Sequence, residues 1–180
     1  MRAGGTVLAC GILVGGLLGC GRDQQSEALY AVGSDHALCT PSEDTAAHTE
    51  GFDTFANRGP GPVTVDRVEW PTTGDVAVDS VRVFQRTEDD DFATVGLWAG
   101  LPGTALTGSP RRAWERAVPA EGAELGEADP DEGYLVFVVG LTGTDGTGGP
   151  LTVHFTDADG RRGRATSLVE LTVAERCGQE

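Results

Sequence analysis

Two runs of carboxylates are the first residues whose type and spacing suggest chemistry. Glu88, Asp89, Asp90 and Asp91 are consecutive, and residues 121–132 hold six more acids. Calcium takes six to eight oxygen ligands, largely carboxylates and carbonyls. Loop acids gathered at one end of a domain are therefore candidate cation ligands. The simpler expectation is no metal site, the acids being solvated runs that keep sheet edges from pairing. Asp157, Asp159 and Gly160 outline the start of an EF-hand loop, but Arg161, Arg162 and Arg164 follow where ligands are needed. Leu168 stands where the bidentate Glu belongs, so this segment is expected to be a hairpin tip.

The other reactive types are sparse. Of the three histidines, His36 and His48 precede the apolar part of the chain, and His154 lies between Val153 and Phe155 on the alternation that points away from Val153. A solvent-facing strand histidine is the expectation for it. The chain has no Gly-x-Ser-x-Gly elbow, no His-Glu-x-x-His pair and no phosphate-cradling Gly-Lys-Ser/Thr motif. It contains no lysine, so lysine-based nucleophilic catalysis is excluded. A cupredoxin-type copper site needs His, Cys and usually Met together, and Met1 is the sole methionine. The expectation is a protein that is not an enzyme and needs no cofactor. An enzyme assembling a dispersed site around residues such as His154 and Asp157 is the outlying alternative.

The 180 residues carry 28 acids against 13 basic residues, a formal net charge of −15. Nucleic acid is not an expected partner, because phosphate binding depends on cations releasing counterions. Arg161, Arg162 and Arg164 form the one basic cluster. They suit an acidic partner or an anionic envelope polymer, or else pair internally with the acidic loops.

At the N-terminus a short positive start, Met1-Arg2, precedes an uncharged stretch over residues 6–19. That is too short for a bilayer-spanning helix, which needs about 20 residues, and it reads as a signal peptide. Its end, Leu17-Leu18-Gly19-Cys20, resembles the lipobox of bacterial lipoproteins, with Leu18 where Ala or Ser is commoner. The resemblance implies cleavage after Gly19 and lipidation of the Cys20 thiol with a diacylglyceryl group. Two acyl chains hold a protein stably on a membrane where one is marginal. The implied location is the extracytoplasmic face of the cell membrane. The mature chain would keep 28 acids against 12 arginines, so an anionic bilayer should push the domain outward.

With Cys10 discarded and Cys20 lipidated, Cys39 and Cys177 remain, and an even pair in an oxidising compartment predicts a disulfide. Residues 20–50 lack a sustained apolar period and are expected to form a flexible tether after the lipidated Cys20, becoming ordered near Cys39. The domain proper is expected over 51–180.

Periodicity there favours β-strands, at 51–58, 62–70, 74–86, 92–99, 113–118, 134–141, 151–157 and 166–174. The second and third slip by one residue at Asp66-Arg67 and Asp79-Ser80, marking a bulge or a crossing between sheets. Strand 134–141 is apolar on both alternations and should be covered on both faces. The last two should form a hairpin around Ala158-Asp159-Gly160. Seven or eight short strands predict an all-β, immunoglobulin-like sandwich, with a small barrel as the alternative. Phe52-x-x-Phe55-Ala56-Asn57-x-Gly59-x-x-Pro62-Val63-Thr64-Val65 resembles the opening hairpin of immunoglobulin-like modules in exported bacterial proteins. The whole arrangement, with its arginine-only basic set, resembles small actinobacterial lipoproteins. A lipid-anchored, non-enzymatic binding or interaction module is the resulting expectation. Its partners would be the membrane through the anchor and an envelope protein or polymer.

Overall fold

Alternating valines set the strands that frame this domain. β4 (Val63–Glu69) and β5 (Ala77–Gln85) each carry the slip visible in the sequence. Against β11 (Thr152–Thr156), Val65 pairs with Phe155 and Arg67 with His154, which leaves Asp66 as the extra residue. Against β9 (Leu135–Thr142), Val78 pairs with Leu141 and Ser80 with Gly140, so Asp79 is the extra residue. Both slips are bulges, and each returns the following valines to the core face. The computed structural model describes residues 25–43, 45–86, 96–128 and 134–178. Cys20, the Glu88, Asp89, Asp90, Asp91 run, half of the acids at 121–132 and the start of the strand expected at 92–99 lie outside the described residues.

The chain is mostly β, 53% strand against 9% helix, and forms several sheets with no closed barrel among the described residues. The largest sheet runs β1 (Leu29–Ala31), β3 (Ala47–Asn57), β9, β5 and β7 (Val118–Pro119), with β6 (Leu97–Ala99) also beside β3. A second sheet runs β12 (Arg162–Thr166), β11, β4 and β8 (Glu124–Leu125). The third runs β10 (Gly146–Gly148), β13 (Val169–Ala174) and β2 (His36–Pro41), with β13 and β2 parallel. All three contribute to one buried cluster, through Phe55, Phe137 and Val139, through Val63, Val153 and Phe155, and through Leu171 and Val173. Phe55 and Phe137 meet edge to face at 5.2 Å between ring centroids, a favoured aromatic arrangement. β9 is covered on both sides as its sequence implied: Val136 and Val138 pack away from that cluster, with Phe84, Ala113 and Ala117.

Three expectations need correction. Residues 113–118 are not a strand: most belong to the helix α2 (Gly108–Arg116), which follows the single turn α1 (Pro102–Ala105). Pro110 falls in the first turn, where its missing N–H leaves no intrahelical bond unmade. Arg111 and Glu115 pair one turn apart at 2.9 Å, and the buried Ala113 faces the outer side of β9. The alternation read from Ala113-Trp114-Glu115-Arg116 also fits a helix with one apolar side. The tether does not extend to Glu50, since β1, β2 and the start of β3 lie within residues 29–50 as paired strands. The hairpin tip at Ala158-Asp159-Gly160 joins β11 to β12, not to the last strand. After Ser167-Leu168 the chain crosses to another sheet, where β13 pairs with β10 and β2.

Cys39 and Cys177 stand at disulfide distance, S–S 2.06 Å, across a sequence separation of 138. The expected pairing thus ties β2, an edge strand, to the chain just beyond β13.

Candidate functional site

The basic cluster at Arg161, Arg162 and Arg164 is gathered with a fourth arginine around the first described residues. Ser26 lies parallel to Gly163 of β12, and its N–H donates to the Arg162 carbonyl at 2.9 Å. Two residues on, the Arg58 N–H donates to the Ala28 carbonyl at 2.9 Å. The segment therefore fills the space between the end of β3 and the free edge of β12. The loops after β3 and β11 meet beside it, because a Cβ on Gly61 would lie 3.0 Å from that of Ala158.

Asp157 organises one side of this site. Its carboxylate accepts from the N–H groups of Asp159 (3.0 Å) and Arg161 (2.9 Å) and from Arg161 Nε (3.0 Å). Arg161 Nη2 also reaches Asp159 Oδ2 at 2.8 Å. The Ser26 hydroxyl, followed by the Arg161 donors, holds the Asp157 carboxyl below its ordinary range. Arg161 is thus neutralised and fixed.

The other cations are not neutralised in this way. Among the described residues, no carboxylate lies within ion-pair distance of Arg58, Arg162 or Arg164. Arg58 stacks over the Tyr30 ring at 4.2 Å from its centroid, a cation–π contact that fixes the guanidinium without consuming its charge. Arg58, Arg164 and Tyr30 line a groove of about 540 Å³, and Arg58 with Arg161 lines a second of about 400 Å³. Gln25, Ser26 and Glu27 border both, and among the described residues Glu27 is the only carboxylate lining either. Guanidinium groups on two sides of one segment can fork onto phosphate or carboxylate oxygens.

The remaining sequence candidates are dispersed. His154 Nε2 lies 3.2 Å from Glu69 Oε2 and 3.3 Å from Arg67 Nη2, while Arg67 and Glu69 form an ion pair. Asp157 is bound to Ser26 and Arg161 and is no partner of His154. His36 is exposed, with Ser34 Oγ at 3.2 Å. Glu121 Oε1 accepts from the Val68 N–H at 3.2 Å. No group of three or more His, Cys, Asp or Glu among the described residues is placed to hold a metal ion.

A second feature was invisible in the sequence. β3 contains a third bulge: Glu50 pairs with Val139 and Asp53 with Phe137, so three steps on β3 match two on β9. Paired residues share a sheet face, and both carboxyls therefore point into the main core, where each is fully buried. Glu50 Oε1 accepts from the Phe52 N–H. Glu50 Oε2 and both Asp53 oxygens have no partner at hydrogen-bond geometry. Burial first, then the neighbouring Asp53 charge, raises the Glu50 carboxyl well above its usual value. Burial pushes Asp53 up to about 6 against the opposing influence of the nearby Ser167 hydroxyl and of Glu50. Two such groups hold a proton between them more readily than two charges. His48 also faces this core, with Thr40 Oγ1 at 3.3 Å from Nδ1, and burial lowers its value. Neither signal was separable from a polar linker in the sequence.

No family model, curated protein or solved structure matches this chain.

Proposed function

We propose that this protein is a lipid-anchored module of the cell envelope. It is held through Cys20 on the outer face of the cytoplasmic membrane and works by binding rather than by catalysis. On this reading the β domain is an immunoglobulin-like sandwich, and its working surface is the arginine groove around Ser26. The supporting observation is charge placement: in an acidic chain, Arg58 and Arg164, without carboxylate partners among the described residues, line grooves that share Gln25, Ser26 and Glu27, with Arg162 beside them on β12. Such a site takes an anionic group.

Two measurements test it. Intact mass of the protein taken from membranes should show a chain beginning at Cys20 plus diacylglyceryl, absent from the Cys20→Ser form. An unmodified soluble product would remove the anchor. Calorimetric titration with inorganic tripolyphosphate should show binding that Arg58→Gln with Arg164→Gln abolishes. Equal heats from both proteins would remove the groove.

A further inference from the structure

The groove lies beside the membrane end of the chain, and we infer that its occupant is the anionic phospholipid headgroup of the bilayer that holds Cys20. The inference rests on the lipid-anchor reading above. It replaces the expectation of a domain held off the membrane by its charge with one docked through the arginines around Ser26.

The reach of the chain carries the geometry. Cys20 and Ser26 are six residues apart, and an extended chain covers at most about 3.6 Å per residue, so roughly 22 Å separates them at full stretch. A domain of this size has a radius of gyration of about 15 Å, hence a diameter of roughly 38 Å. The connection is shorter than the domain is wide. Ser26 is fixed to β12 by its bridge to Gly163 and its bond to Arg162, so the face that can approach the bilayer is the one around Ser26.

On that face Arg58, Arg162 and Arg164 have no carboxylate at ion-pair distance among the described residues, while Arg161 is balanced by Asp157 and Asp159, and Glu27 lines the same grooves. Basic residues within a Debye length of an anionic leaflet are attracted to it, and the effect vanishes beyond about 8 Å. The acids elsewhere on the domain are repelled, which turns the same end down.

Each arginine near an anionic surface contributes about fivefold to membrane contact. Neutralising Arg58, Arg162 and Arg164 should therefore weaken docking on the order of 100-fold. The experiment is hydrogen exchange on the lipidated protein in nanodiscs of phosphatidylcholine alone or with 30% phosphatidylglycerol. Amides of residues 25–31 and of Arg58, Gly59 and Gly61 should exchange at least about threefold more slowly on the anionic discs. The protection should disappear in 0.5 M salt and in the triple Arg→Gln protein, and return in the triple Arg→Lys protein. Equal melting temperatures would confirm that the variants fold. Identical exchange on both discs, with the diacylglyceryl mass present, overturns docking and leaves the anchor standing. A missing lipid mass overturns the anchor and, with it, this proposal. Protection produced equally by soluble polyphosphate on neutral discs overturns it in favour of an anionic polymer.

Discussion

Glu50 and Asp53 are three residues apart on β3 but face Val139 and Phe137, two residues apart on β9, so a single bulge turns both carboxyls into the core. A regular strand would send positions three apart to opposite faces. The bulge is thus what creates the buried pair, and desolvation is what raises both groups.

The consequence is a pH dependence with a definite sign. A carboxyl raised on folding contributes stability that is greatest below its unfolded value, near 4, and is lost as pH rises through the folded value. For Asp53 that window runs from about 4 to 7, around its folded value of about 6. His48, lowered by burial, acts in the opposite direction and Glu50, also raised, in the same one, so the wild-type curve alone mixes all three. Comparison with Asp53→Asn cancels His48 and reports on the Glu50–Asp53 pair. Urea unfolding at pH 4.5, 6 and 8 should show the variant gaining about 2 kcal/mol on the wild type across that range. Parallel curves would show that Asp53 titrates normally in the folded protein.

Asn57 makes a similar demand on the core, with a different solution. It is fully buried at the end of β3. Its Nδ2 faces the carbonyls of Gly61 (3.0 Å), Leu125 (3.2 Å) and Gly126 (3.1 Å), and its Oδ1 accepts from the Gly59 N–H at 2.9 Å. Replacing it with Ala leaves these backbone groups without their partner and should cost about 2–4 kcal/mol. Asp is close to isosteric but sets carboxylate oxygen against three carbonyl oxygens, so Asn57→Asp should be no better than Asn57→Ala above pH 6. Chemical denaturation of both variants checks this. A neutral Asn57→Asp would mean that the donor side of Asn57 is unimportant.

Much of the β framework was legible because valine alternation survives even through the bulges at Asp66 and Asp79. Their apolar residues resume on the opposite parity, which a period-two reading detects. The bulge in β3 was hidden because the residues flanking it are polar: His48, Glu50 and Asp53 occupy core positions where the reading expects hydrocarbon. β1 and β2 were hidden by brevity and by mostly exposed or half-buried side chains. The arginine cluster was visible at 161–164, but Arg58 and Tyr30 join it only through the pairing of Ser26 with Gly163 and of β1 with β3. Long-range register of that kind leaves no local trace. The disulfide was legible once Cys10 and Cys20 were set aside as signal-peptide and lipidation residues, which leaves Cys39 and Cys177 as an even pair.

That disulfide should protect one element in particular. β2 is bonded in its sheet only to β13, in parallel, with Cys39 opposite Thr172, and Cys177 secures it from beyond the strand. Cys39→Ser with Cys177→Ser should lower global stability by about 2–4 kcal/mol. Amides of β2 should exchange earlier than those of β9, which is covered on both faces. Uniform acceleration across both strands would show that the bond acts on the whole unfolded chain without holding β2 locally.

Gly163 links the core to the segment around Ser26. A Cβ there would collide with the Phe155 ring on one side and the Ser26 carbonyl oxygen on the other, and both neighbours are held, the ring in the core and Ser26 against β12. Gly163→Ala should therefore cost about 1–3 kcal/mol through overpacking. It should also release the segment from residue 25 to 28, read as faster proteolysis there than elsewhere. Gly126→Ala is the matched control, because nothing lies within 4 Å of its added Cβ, and it should stay within about 0.5 kcal/mol of the parent. If Gly163→Ala loses stability while cleavage at residues 25–28 is unchanged, the cost lies at Phe155 alone, and the segment is held by its hydrogen bonds rather than by close approach to β12.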